Sequence, residues 1–145
     1  EIITYQRVHG DLFVSLSGCI SFFVMLLCMQ AKLGFIPFDM PEAETELMSG
    51  PFIEYSGKAL AIFKLTKAVI LFIVPVLLIT LYFGGIKLSL EGLIKTVIEY
   101  IAILVLVIVI KNTNPRVRID HAVKFFWGIM TVAAILSAAL ALIGR

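Results

Sequence analysis

The chain has 145 residues, of which 61% are apolar and only 15% charged, and its mean hydropathy is +1.06; soluble domains run at about 45–50% apolar and about 25% charged. A net charge of +2 leaves no asymmetry that would call for a polyanionic partner, and so apolar a composition argues against a disordered chain, a basic nucleic-acid module and an ordinary cytosolic enzyme. An integral membrane protein remains, its apolar faces covered by lipid or by other protein.

The chain opens Glu1-Ile2-Ile3-Thr4-Tyr5, with no initiator Met and no basic stretch leading into an apolar one. This reads as part of a longer subunit. A helix needs roughly 20 apolar residues to cross the hydrocarbon core. Residues 12–31 carry no charge and supply the first span. Residues 68–86 supply the second, with Pro75 inside it as an expected kink. Residues 90–110 form the third. Residues 125–144 form the fourth, in which Ala133, Ala134, Ala138, Ala139 and Ala141 offer small faces for close helix contact. The expected fold is an all-α membrane domain over 1–145. Cys19 and Cys28 would lie roughly 13 Å apart along the first helix, beyond the separation of about 7 Å that a disulfide tolerates. With no CxxC and no His beside them, a metal or iron–sulfur site in this chain is not expected.

Lys and Arg near the span ends give the orientation. Lys32, Lys58, Lys64 and Lys67 flank the first connection, and Lys111, Arg116, Arg118 and Lys124 fill the third. Arg7, Lys87, Lys95 and Arg145 are all that falls on the other side. The connections 32–67 and 111–124 are therefore expected to be cytoplasmic, in a plasma or inner membrane, with both termini opposite.

Half of the ten acids sit in the first connection: Asp39, Glu42, Glu44, Glu46 and Glu54. Asp39 followed by Pro41 and Glu42 has the grammar of a helix start, and Gly50-Pro51 that of a stop, so a short amphipathic helix is expected between them. Glu42 and Glu46 would share a face, with Glu44 nearly opposite. Such a run is often a solvated face that favours the helix dipole. Here Phe35, Ile36, Phe38, Phe52 and Ile53 flank it and press it against a membrane or a partner. Crowded, partly desolvated carboxylates have raised and coupled pKa values, which suits them to carrying protons.

Glu91, Lys95 and Glu99 recur every four residues on the third span, and Glu99 falls near mid-membrane, roughly 16 Å from Ile110. Ionisable groups at that depth point to function. Lys95 and Glu99 are read either as a neutralising pair or as a station on an ion path. Lys64 and Lys67 either snorkel to the headgroups or face the acidic loop. His9 and His121 are read as interfacial.

The run Pro37-Phe38-Asp39-Met40-Pro41-Glu42-Ala43-Glu44-Thr45-Glu46, continuing through Gly50-Pro51-Phe52-Ile53-Glu54-Tyr55-Ser56-Gly57, resembles the signature of the NuoH family. That family holds the quinone-site membrane subunit of respiratory complex I and its counterparts in energy-converting NiFe hydrogenases. Asn114-Pro115-Arg116-Val117-Arg118-Ile119-Asp120 resembles a second motif, between the family's last two spans. The resemblance covers the C-terminal half of a family member of about eight spans. Gly50-Pro51, Phe63-Lys64-Leu65 and Lys67 look more like the hydrogenase branch than the complex I branch. The resemblance then implies a membrane anchor and coupling subunit with no catalytic or cofactor residue of its own. A NiFe centre and iron–sulfur clusters would sit on peripheral hydrogenase-type subunits. Antiporter-like membrane subunits would lie alongside, and ferredoxin-driven electron transfer would be linked to proton or sodium movement. Asp39, Glu42, Glu44, Glu46, Glu54, Lys64, Lys67, Lys95 and Glu99 are the candidate ion path; Arg116, Arg118 and Asp120 are expected to dock the peripheral arm. A quinone-site subunit of a respiratory NADH dehydrogenase and a purely structural anchor are the competing readings. A stand-alone transporter is disfavoured, as the sequence has no visible internal repeat.

Overall fold

The computed structural model describes residues 6, 10–39, 54–86 and 89–143. Four long helices account for nearly all of them: α1 (Leu16–Leu33), α2 (Lys58–Tyr82), α3 (Leu90–Thr113) and α4 (Ile119–Ile143). Each is long and apolar enough to cross a membrane, and no strand occurs among the described residues. The chain is an all-α membrane protein. The short helix expected from Asp39 to Gly50 falls outside the described residues, as do Glu42, Glu44, Glu46 and His9.

The helix ends follow local chemistry rather than hydropathy. The apolar run from Leu12 is broken by a 3-10 turn at Leu12–Val14, after which Ser15 caps α1 by accepting the Gly18 N–H at 3.0 Å. Gly34, at φ +62°, closes α1: its N–H reaches the Ala31 carbonyl at 3.2 Å and the Phe35 N–H reaches Gln30 at 3.3 Å. Helix α2 begins at Lys58, ten residues before the expected span, since Lys is a good helix former even where it lowers hydropathy. It stops at Tyr82, before Gly84 and Gly85 take the positive φ that only glycine adopts readily. The fourth helix likewise starts at Ile119 and passes through a π-helical turn over Phe125–Met130, where the Thr131 hydroxyl donates to the Phe126 carbonyl at 2.9 Å.

Helix α1 is the hub. Phe22, Leu26, Met29 and Leu33 line one face at intervals of four, three and four, and are all buried. They pack against Leu78, Ile79 and Tyr82 of α2 and Ile103 and Val107 of α3. Pro75 lies fully buried within α2. Near the start of α1 an aromatic group ties the connections in: Phe22 meets Tyr82 edge-on at 5.4 Å, and Phe13 stacks on Phe83 at 5.0 Å. The Ser21 and Tyr82 hydroxyls share a hydrogen bond at 2.6 Å. These contacts set α1 and α2 antiparallel. The outer faces of α3 and α4, with Ile98, Ile101, Ile135 and Leu142 exposed, are what a lipid solvent calls for.

Small residues set the α1–α4 approach. Ser17, Gly18 and Ser21 face Ser137, Ala138 and Ala141 across a cavity of about 390 Å³, so two of the five alanines expected to offer a small face on the fourth span, Ala138 and Ala141, meet a neighbour there. A Cβ on Gly18 would lie 1.8 Å from the Leu12 carbonyl oxygen, whereas one on Gly128 would meet nothing within 4 Å. Gly18→Ala is therefore expected to lower stability by about 1–3 kcal/mol through forced backbone movement. Gly128→Ala should be neutral or stabilising by up to about 1 kcal/mol, and thermal unfolding of the detergent-solubilised protein measures both.

Candidate functional site

The two motif segments meet at one end of the bundle. Gly34 turns the chain out of α1, and Asn114 ends α3, its N–H reaching the Ile110 carbonyl at 3.3 Å. The loops that follow are joined twice. The Val117 N–H donates to the Pro37 carbonyl at 3.1 Å, and Arg116 Nη2 lies 3.3 Å from Asp39 Oδ2. Lys67 of α2 lies within electrostatic reach of the same carboxylate. Asp39 is therefore shared by three segments, with its side chain only 16% exposed. A half-dry site strengthens each of these attractions relative to water.

Aromatic contacts hold the loop in place. Phe38 is buried against Phe125 and Phe126, at ring separations of 6.0 and 4.8 Å, on the π-helical turn of α4. Lys111 Nζ sits 4.8 Å from the centre of the Phe35 ring. Between the two motif segments lies a cavity of about 400 Å³, lined by Pro37, Phe38, Asn114, Pro115, Val117 and His121 among others.

Of the residues expected to act together, the structure unites Asp39, Lys67 and Arg116, crossing the line drawn in the sequence between ion path and docking surface. Glu54, Lys64, Arg118 and Asp120 are exposed at this end. The Arg118 carbonyl accepts the His121 and Ala122 N–H groups at 3.0 Å, and Asp120 sits in the first turn of α4, where a negative charge favours the helix dipole.

The opposite end holds a second charged group. Lys95 Nζ lies 3.5 Å from Glu99 Oε1, the expected pair, but also 3.2 Å from Asp11 Oδ2. Asp11 escaped the sequence reading because 84 residues separate it from Lys95; the only signal was an acid placed just before an apolar span. Gln30 escaped it too. This amide is fully buried and donates to the Val107 carbonyl of α3 at 3.0 Å, while its Oε1 has no partner. The one amide in a span whose other polar residues are the serines Ser15, Ser17 and Ser21 was the available signal.

The family model described as NADH dehydrogenase matches residues 1–142. The chain belongs to this family, whose NuoH-like members are membrane subunits. It is 34% identical to the H subunit of NADH-quinone oxidoreductase from Brevibacillus brevis, over 97% of this chain and 43% of that protein. The corresponding protein of Geobacillus kaustophilus is 30% identical over 97% of this chain and 43% of its own length. A chain of the membrane-bound sulfane sulfur reductase, an archaeal respiratory membrane complex, superposes with a TM-score of 0.85 at 28% identity, over 97% of this chain and 48% of that one. This chain thus spans less than half the length of the relatives it matches. The NuoH-like relationship read from the two motifs holds, and the relatives it joins are subunits of respiratory membrane complexes.

The link between the two NuoH-like motifs is open to direct measurement. Asp39→Asn and Arg116→Gln, separately and together, should give a coupling energy of about 1 kcal/mol in a double-mutant cycle on thermal unfolding. Strict additivity would mean that the pair contributes nothing.

Proposed function

We propose that this chain is the anchor and coupling part of a complex-I-like oxidoreductase, on the branch that passes electrons from ferredoxin to a NiFe or sulfane-sulfur-reducing site on partner subunits. The observation that carries this is the Asp39 carboxylate: it links the acidic loop, the arginine loop and α2 at one membrane face. A peripheral arm docked there through Arg116, Arg118 and Asp120 could not change charge or position without changing the field at Asp39. Glu42, Glu44, Glu46 and Glu54 belong to the same loop. A change in the field shifts their proton affinities, by one pKa unit for each 1.36 kcal/mol of altered interaction. Proton loss at this face and displacement toward Glu99 then follow. The NiFe and iron–sulfur groups supply the electron transfer and sit on partners; antiporter-like subunits would extend the ion path sideways. The docking face is cytoplasmic on this reading, in agreement with its share of Lys and Arg.

The names of the curated relatives favour a second reading, a quinone-site subunit of an NADH dehydrogenase. Metal analysis and acceptor assays on the purified complex separate the two. Ferredoxin-driven reduction of protons or sulfane sulfur with no quinone reduction supports the first, and a nickel-free complex that reduces quinone supports the second.

Coupling itself is tested with Glu42→Gln, Glu44→Gln and Glu46→Gln. Each variant is expected to assemble normally while moving fewer ions per electron. Full coupling in all three contradicts the proposal. Loss of assembly at unchanged coupling would make the loop a structural anchor.

A further inference from the structure

Helix α4 changes its hydrogen-bonding register over Phe125–Met130, where it passes from the arginine motif into the membrane span. A π-helical turn holds one residue more than an α-helical one and sits inside a longer helix as a bulge. Local chemistry supports it here. Thr131 gives both its N–H and its hydroxyl to the Phe126 carbonyl, the hydroxyl at 2.9 Å. Gly128, inside the turn, has no side chain to hold one winding over another, and a Cβ placed on it would meet nothing within 4 Å.

The two sides of the turn are held differently. Beyond it, Ser137, Ala138 and Ala141 lie against Ser17, Gly18 and Ser21 of α1, in the most extensive helix pairing among the described residues. Before it, only Ala122 of residues 119–124 is buried. The turn itself is gripped from the first motif loop. The Phe38 ring lies 4.8 Å from that of Phe126 and 6.0 Å from that of Phe125, and Phe38 adjoins Asp39, which pairs with Arg116. The cavity of about 400 Å³ bordered by Phe38, Val117, His121 and Phe125 leaves room at this end for side chains to turn.

We propose that the π-helical turn of α4 is a register switch set by Phe38. This rests on the reading that the motif loops pass the state of a docked arm to the membrane part. With Phe38 seated on Phe125 and Phe126, the extra residue stays in the turn. When a change at the Asp39–Arg116 contact draws Phe38 away, the turn relaxes to α-helical hydrogen bonding. The turns before it then rotate by about 100° and advance by about 1.5 Å, the step of one α-helical residue. Asp120 and His121 move with them, and the irregular connection 114–118 takes up the displacement. The half beyond Thr131 stays on α1. Phe38 and Thr131 are thus positioning residues, and the two motif segments are linked through packing as well as through charge.

The test uses the whole purified complex. Amide hydrogen exchange is compared between wild type and Phe38→Ala. Exchange over residues 119–131 is expected to rise by about tenfold, the factor that one aromatic contact carries, with residues 132–143 unchanged. Equal exchange over 119–131 overturns the proposal, and so does a rise spread evenly over 119–143, which marks general loosening. Deletion of Gly128 separates switch from scaffold. It removes the extra residue and leaves Phe125 and Phe126 where Phe38 meets them, so a purely structural turn predicts wild-type coupling in liposomes. The switch predicts electron transfer with loss of ion movement, and full coupling overturns it. Should the deletion block assembly, the exchange comparison decides. A wild-type complex that moves no ions overturns the underlying functional reading instead, and the exchange comparison still decides the switch.

Discussion

A polar group inside a bilayer has no water to turn to, so each one must find its partner within the protein. This requirement governs nearly every feature of the chain. It confines charge to the helix ends and to one stripe on α3, and it keeps the spans helical so that backbone groups satisfy each other. Some polar side chains in the apolar zone bond within their own helix, as Thr80 does to Leu77 and Ser137 to Ala134, and others pair across helices. Tyr82 meets Ser21, Gln30 reaches the Val107 carbonyl, and Lys95 stands between Asp11 and Glu99. These links fix the helices relative to one another where apolar contact alone would allow sliding.

The same requirement gives the molecule two different ends. At the motif end, Asp39 draws Arg116 and Lys67 to one carboxylate, and the Pro37–Val117 hydrogen bond and the Phe38 ring lock the loops to α4. At the far end, one ammonium serves two acids. The buried Gln30 lies between the two and keeps an unpaired oxygen, a polar foothold in the dry interior close to the motif end.

Much of this was legible in the sequence. The four spans follow from apolar runs of sufficient length, and the family follows from two motifs of particular residues in a particular order. The helix boundaries were less legible. Hydropathy counts Lys58, Lys64 and Lys67 against a helix that their backbone propensity favours, so α2 starts earlier than its apolar run. The break at Ser15 is a capping event within an apolar run, which hydropathy does not register. What local pattern could not supply was the pairing of distant residues. Asp39 and Arg116 are 77 positions apart, and Asp11 and Lys95 are 84 apart. Each was visible as a charge, but only the packing of the helices chose its partner.

The central claim is that both signature loops share one membrane face and that the α2–α3 turn lies on the other. Single cysteines at Ser56, Asn112 and Ile86, all exposed positions, introduced with Cys19 and Cys28 replaced by Ser, allow this to be measured in sealed vesicles of known orientation with an impermeant maleimide. Labelling of the cysteines at 56 and 112 from one side, and of the cysteine at 86 only from the other, is the predicted result. Labelling of the first two from opposite sides would contradict the account, because the Asp39–Arg116 contact could not then exist.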